Sequence, residues 1–119
     1  MQILLAAAFL AVGSAEPATE LDYADGALAF TALMKGDLHR AETQLSASRA
    51  VNEHDGAWLL NYGQLLARQG RVNEARAIFR QVADAPDSEV VLASGELIGT
   101  REASRLATRR LSKLNLTSR

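Results

Sequence analysis

Residues 36–45 read GDLHRAETQL, and residues 70–79 read GRVNEARAIF. The two stretches lie 34 residues apart and share a glycine at the first position, an alanine at the sixth and a large apolar residue at the tenth. Because self-similarity at a period of about 20–50 residues indicates a repeat architecture, this spacing governs the interpretation of the whole chain. Segments 22–55 and 56–89 are therefore predicted to be two copies of one structural unit.

Apolar residues recur at helical spacing on both sides of each glycine. In the first segment, Leu28 and Ala32 precede the glycine, and Leu38, Ala41 and Leu45 follow it at intervals of three and four. The same pattern surrounds the second glycine. Each segment is thus predicted to form a helix, a tight turn and a second helix.

The turn itself is predicted from its residue types. Gly36 and Gly70 are expected to take the left-handed conformation that ends the first helix, and Asp37 to cap the second. Small residues are expected where the two antiparallel helices cross most closely, since larger side chains would push the axes apart. These residues are Ala29 and Gly63 on the first helices, and Ala41 and Ala75 on the second helices.

This pattern resembles the tetratricopeptide repeat, a 34-residue helix-turn-helix unit. The second segment carries Gly63, Gly70, Ala75 and Phe79 in register, with Trp58 and Pro86 one place early and Leu66 in place of the usual aromatic residue. The first segment keeps Leu28, Ala29, Gly36, Ala41 and Leu45, and lacks the tryptophan and the proline. The resemblance implies antiparallel helical hairpins stacked as a short right-handed solenoid, of the small bacterial exported type.

A divergent third unit is expected over residues 88–116. Ser88 is predicted to cap a helix that carries Val90 and Leu97 and ends at Gly99, and a last helix is predicted to close the apolar end of the stack. The predicted fold class is therefore all-α, with about two and a half repeats and a C-terminal capping helix.

Composition argues against catalysis. The chain has no cysteine, and its two histidines, His39 and His54, lie fifteen residues apart without a second ligand type at metal spacing. Nucleophile-elbow and nucleotide-binding glycine patterns do not occur. The sequence therefore predicts a non-enzyme with no catalytic, cofactor-binding or metal site. A net charge of −1 also argues against a general affinity for nucleic acid.

The resemblance implies that the first helix of each pair lines a concave groove. The residues predicted to line it are Tyr23, Phe30, Leu33, Met34, Leu60, Asn61, Gln64 and Arg68. Family members that bind chaperone tails use a clamp of lysine and asparagine here, and only Asn61 fits that clamp. An apolar groove for a peptide or helix of a partner protein is predicted instead. The alternative is that these residues are core, buried by the N-terminal segment or by the last helix.

A basic stripe recurs every four residues on the last helix. It consists of Arg101, Arg105, Arg109 and Lys113. Such a stripe is either a solvated face or a docking face for an acidic partner, including an anionic membrane surface. An alternative function follows, in which this basic helix docks on the acidic first repeat of another copy and the protein acts as a homo-oligomer.

Residues 1–15 contain an unbroken apolar run over 3–12, followed by small residues up to Ala15. Ten apolar residues are too few to span a bilayer, and the pattern predicts a secretory signal peptide. The mature domain would then comprise residues 16–119 in the periplasm or outside the cell. The alternative is an additional N-terminal helix packed on a cytoplasmic domain.

Overall fold

The computed structural model describes residues 26–92 and 94–117, with side chains as far as Lys113. In chain order, the elements are α1 (Phe30–Lys35), α2 (Leu38–Asn52), α3 (Gly56–Arg68), α4 (Val72–Gln81), a 3-10 turn (Val82–Asp84), β1 (Glu89–Val91), β2 (Leu97–Gly99) and α5 (Thr100–Thr117). The described part of the chain is thus mostly helical, which confirms the predicted fold class. Tyr23 and the predicted signal peptide lie outside the described residues.

The two predicted turns have the same backbone geometry. Gly36 and Gly70 adopt φ angles of 74° and 81°, so both take the left-handed conformation. In each turn the glycine N–H donates to the carbonyl three residues earlier, and the next N–H donates to the carbonyl five residues earlier. These bonds satisfy carbonyls that a helix end leaves unpaired. The two turns therefore share the same hydrogen bonds as well as similar sequences.

Aspartates cap the helices that follow the turn and the inter-repeat loop. Asp37 Oδ1 accepts from the Arg40 N–H at 3.1 Å at the start of α2, as predicted. Asp55 Oδ2 accepts from the Trp58 N–H at 3.0 Å at the start of α3. Each cap pairs an N–H that the first helical turn leaves without a partner.

The third helix, α3, forms the centre of the packed structure. Ten of its 13 residues are buried, and α2, α4 and α5 all pack against it. The predicted crossing residues Gly63 and Ala75 are buried between α3 and α4, where Gly63 contacts the ring of Phe79. A helix that is apolar on most sides is stable only when it is enclosed in this way.

A chain of contacts around Trp58 joins the first repeat to the second. The indole N–H donates to Ser48 Oγ at 3.0 Å, and Ser48 Oγ donates to the Ala27 carbonyl at 2.7 Å. The guanidinium of Arg49 lies 4.7 Å from the ring centroid of Tyr62 and 5.5 Å from that of Trp58. These contacts hold the end of α2 against α3.

The first helix begins later than the periodicity predicts. Residues 26–29 form a turn, with the Ala29 N–H donating to the Gly26 carbonyl at 3.0 Å, and α1 starts only at Phe30. Ala29 has a φ of 55°, a left-handed conformation that an alanine adopts only when surrounding contacts compensate for the strain. Leu28 and Ala29 are nevertheless buried, so they join the core as predicted but not as helical residues.

The prediction of a helix over residues 88–99 is wrong. Strands β1 and β2 pair antiparallel there, with Val90 opposite Ile98 and Gly95 at a φ of 93° in the connecting turn. The apolar residues suited either element, but adjacent β-branched valines and a glycine turn favour a hairpin. Ser88 does not cap a helix, and its N–H instead donates to Thr100 Oγ1 at 3.2 Å. The third unit therefore contributes a hairpin and one helix, α5.

Candidate protein-binding groove

The structure buries most of the side chains predicted to line the groove. Leu33, Leu60, Asn61 and Gln64 are buried, Phe30 and Arg68 are partly buried, and Met34 is exposed over 50% of its surface. An open apolar groove requires exposed side chains, and Leu33, Leu60, Asn61 and Gln64 are not exposed. This burial agrees with the alternative that these residues belong to the core. Their role in binding stays a prediction.

Two polar side chains of α3 hold the first repeat in place. Asn61 Nδ2 donates to the Leu28 carbonyl at 2.8 Å, and Arg68 Nη1 donates to the Leu33 carbonyl at 2.5 Å. The two bonds lie about two helical turns apart along α3 and reach backbone on either side of the start of α1. These bonds hold one face of α3 against α1. It is the face that was predicted to line the groove.

Gln64 lies between these two anchors and has no comparable bond. Asn61, Gln64 and Arg68 are spaced by three and four residues, so they share one face of α3, and we call them the polar row. The side chain of Gln64 is fully buried, yet neither Oε1 nor Nε2 has a hydrogen-bond partner among the residues that the structure describes. Nε of Arg68 is buried and unpaired as well. Each such group costs about 1–3 kcal/mol of stability.

The charge of Arg68 adds to the chemistry of the polar row. Burial lowers the pKa of its guanidinium from the ordinary value, but arginine remains protonated in proteins. The positive charge therefore persists beside the unpaired amide. Together the two side chains present several N–H donors and one carbonyl acceptor to any group that enters this face.

The basic stripe on α5 is exposed to solvent. All four of its residues, Arg101, Arg105, Arg109 and Lys113, are solvent-accessible. Arg101 is also engaged in the fold, since its Nη2 donates to the Ala85 carbonyl at 3.0 Å. The stripe is therefore partly structural at its N-terminal end, and its docking role stays a prediction.

A carboxylate from outside the helix stabilises the start of α5. Asp87 Oδ1 accepts from the Arg101 N–H and from Thr100 Oγ1, each at 3.2 Å. The backbone bond from Arg101 lowers the pKa of Asp87 most, and the Thr100 hydroxyl and the positive charges of Arg101 and Arg105 lower it further, against a desolvation effect in the opposite direction. No local sequence signal identifies this cap, because Asp87 precedes Arg101 by 14 residues.

One pocket lies apart from the polar row, where the loop after α2 meets the end of α4. Its volume is about 370 Å³, and it is lined by Glu53, His54, Leu59, Gln81, Asp84, Ala85 and Pro86. His54 Nε2 lies 3.6 Å from the Glu53 carboxylate, and both side chains are largely exposed to solvent.

No group of three His, Asp or Glu side chains within 26–92 and 94–113 comes together as a metal site. None of the described helices is sufficiently long and apolar to cross a bilayer.

Comparison with known families agrees with the geometry of the two hairpins. A family model described as tetratricopeptide repeat matches residues 32–94, just over half of the chain. No curated protein and no solved structure matches the sequence significantly. The matched region begins in α1 and contains the left-handed glycine turns, the buried crossing residues Ala41, Gly63 and Ala75, and the α3–α4 pair. The chain belongs to the tetratricopeptide repeat family.

Proposed function

We propose that this protein is a non-catalytic interaction module that binds a segment of a partner protein along the face of α3 that carries the polar row. Tetratricopeptide repeats generally mediate protein–protein interaction, and the family is generally non-catalytic. The observation that supports this site is the unpaired amide of Gln64, buried between the anchors formed by Asn61 and Arg68.

The unpaired amide of Gln64 lowers the stability of the unbound protein. Buried amides in native structures are almost always paired, and an unpaired one is a cost that a bound ligand removes. Gln64 has no exposed surface in this structure, so a partner reaches it only by displacing the groups that cover it. The exposed thioether of Met34 and the partly buried ring of Phe30, both on α1, offer adaptable apolar contacts beside the polar row.

Site-specific photo-crosslinking tests this proposal. A photo-activatable residue would replace Met34 on α1 in one variant and Val51 on α2, which is 86% exposed, in a matched control. Both variants of the full chain would be expressed in the native host and irradiated. We expect a discrete crosslinked partner from position 34 and not from position 51. Equal crosslinking at both positions, or none at position 34, would contradict binding along this face.

The alternative function is self-association through the basic stripe. The exposure of Arg105 and Arg109 on α5 favours it, because exposed cations are available to the acidic surface of another copy. Size-exclusion chromatography with light scattering at low and high salt separates the two functions. Groove binding predicts one monomeric mass at both salt concentrations. A dimer that dissociates as salt rises would favour the alternative, since salt screens exposed charges.

A further inference from the structure

We infer that the start of α1 is a two-state element. In the bent state, which the structure describes, residues 26–29 form a turn before α1. In the continuous state, α1 extends back through that turn and forms one helix over residues 26–35. Ser48 and Asn61 hold the bent state. Both states belong to the chain without any partner, so this element goes beyond the proposed function.

The bent state opposes the local preference of the sequence. Ala27, Leu28 and Ala29 are three consecutive residues with high helix propensity. Ala29 nevertheless adopts a φ of 55° and Gly26 a φ of 76°, so the turn uses the left-handed conformation twice. For an alanine this conformation is unfavourable, because its Cβ approaches the following carbonyl oxygen. Such a residue persists only where the surrounding structure imposes its conformation.

Side chains from two other helices impose the turn. The hydroxyl of Ser48 on α2 donates to the Ala27 carbonyl at 2.7 Å, and Asn61 Nδ2 on α3 donates to the Leu28 carbonyl at 2.8 Å. In a continuous helix these two carbonyls would instead accept from backbone N–H groups four residues later. The two side chains and the helix backbone therefore compete for the same acceptors.

The continuous state would pair donors that lie at a helix end in the bent state. Helix α1 begins at Phe30, and its N-cap residue, Ala29, has no side-chain acceptor. The first N–H groups of a helix have no partner within it. Extending the helix back to Gly26 would give the N–H groups of Thr31 and Ala32 carbonyl partners four residues earlier. The continuous state thus gains backbone hydrogen bonds where it loses two side-chain bonds.

Burial in the core is compatible with both states. Leu28 and Ala29 are buried in the bent state. In a continuous helix they would lie one turn before Ala32 and Leu33, the buried residues of α1. The apolar side of the helix would then extend over Leu28 and Ala29, so neither state requires that they become exposed.

This element connects α1 to the contact between the two repeats. The indole N–H of Trp58 donates to Ser48 Oγ at 3.0 Å, and the same hydroxyl donates to the Ala27 carbonyl. The continuous state would release Ser48 and Asn61 from the carbonyls of the turn. A molecule that binds α1 more tightly in one state would shift the equilibrium toward that state, and would thereby change these contacts with the second repeat.

Two exchanges between glycine and alanine in the full chain test the inference. Ala29→Gly removes strain from the bent state and weakens the continuous helix, whereas Gly26→Ala strains the bent state. Each change is expected to shift the ratio of the two states by about tenfold, in opposite directions. The ¹³Cα chemical shifts of Ala27 and Leu28 and the exchange rate of the Thr31 amide would be measured. We expect the wild-type values to lie between those of the two variants, with the more helical shifts and the slower exchange in Gly26→Ala.

Ser48→Ala is an independent variant, because it removes one of the two bonds that hold the turn. Its matched control is Ser46→Ala, which replaces an exposed serine on the same helix. Ser48→Ala should shift the same chemical shifts toward helical values, and Ser46→Ala should leave them unchanged.

Two outcomes would overturn the inference. Identical chemical shifts and exchange rates in Ala29→Gly, the wild type and Gly26→Ala would show that the segment has one conformation. A Ser48→Ala variant that matches its control would show that this hydroxyl does not hold the turn. Ala29→Gly relieves strain, so its comparison with the wild type and with Ser48→Ala stays decisive even if Gly26→Ala does not fold.

Discussion

Gly63 on α3 lies directly against the ring of Phe79 on α4. A Cβ atom built at Gly63 would stand 2.4 Å from Cε1 of Phe79, closer than real Cβ atoms approach any neighbour. The absence of a side chain at Gly63 is therefore what allows the two helices of the second repeat to pack together. The pair occupies two of the positions that carry the family resemblance.

Gly63→Ala is expected to destabilise the protein by about 1–3 kcal/mol, because the added methyl group overpacks a closed interface. In an exposed helix, replacing glycine by alanine raises the free energy of unfolding by up to about 1 kcal/mol. A decrease in the free energy of unfolding at position 63 would therefore indicate the clash with Phe79. Urea unfolding measures it. Combining the change with Phe79→Leu should cost less than the sum of the two single changes. A fully additive double variant would show that the two residues do not meet.

The two amides of the polar row are expected to respond in opposite directions. Asn61→Leu removes the bond to Leu28 and leaves that carbonyl without this donor, so it should lower the free energy of unfolding by about 1–3 kcal/mol. Gln64→Met removes two buried groups that have no partner, so it should raise that free energy by about 1–2 kcal/mol. Thermal unfolding of both variants checks the pair. A destabilised Gln64→Met would mean that this amide is paired in solution.

Stability should depend on pH through Asp87. Its lowered pKa in the folded chain means that folding favours the carboxylate, whose contribution is complete above the ordinary aspartate pKa of about 3.9. That contribution is lost as the pH falls through the lowered pKa of the folded state. Asp87→Asn should therefore melt at a lower temperature than the wild type at pH 7, and the difference should shrink in acid below pH 3.9.

Asp84→Asn is the matched control for that series. Asp84 is an exposed carboxylate three residues earlier, and within the described part of the chain its side chain makes no hydrogen bond. Its replacement should change the melting temperature little at any pH. An equal loss of stability in both variants would indicate a general charge effect and not the cap on α5.

We also propose that the protein is exported. The apolar run at 3–12 and the small residues before Glu16 predict cleavage after Ala15. Intact-mass measurement of the protein from its native host should find a chain that begins near Glu16. Recovery of residues 1–119 from the cytosol would favour the alternative of an N-terminal helix packed on the domain.

The sequence by itself determined the repeat register, the glycine turns and the Asp37 cap. These features are local, since a left-handed glycine, a capping aspartate and an apolar periodicity of three and four act within a few residues. The crossing residues Gly63 and Ala75 were also predictable, because the 34-residue period assigns them a position in the hairpin.

Only the tertiary structure decided the rest. The segment containing Val90 and Ile98 suited a helix or a strand, and the choice depends on cross-strand pairing and on packing that single-sequence periodicity does not contain. Asp87 caps α5 across 14 residues, a contact that exists only after the hairpin has formed. Likewise, the sequence placed Gln64 on the groove face, but its complete burial without a partner depends on how the other elements enclose α3. Local geometry follows from adjacent residues, whereas burial and pairing follow from residues that the fold brings together.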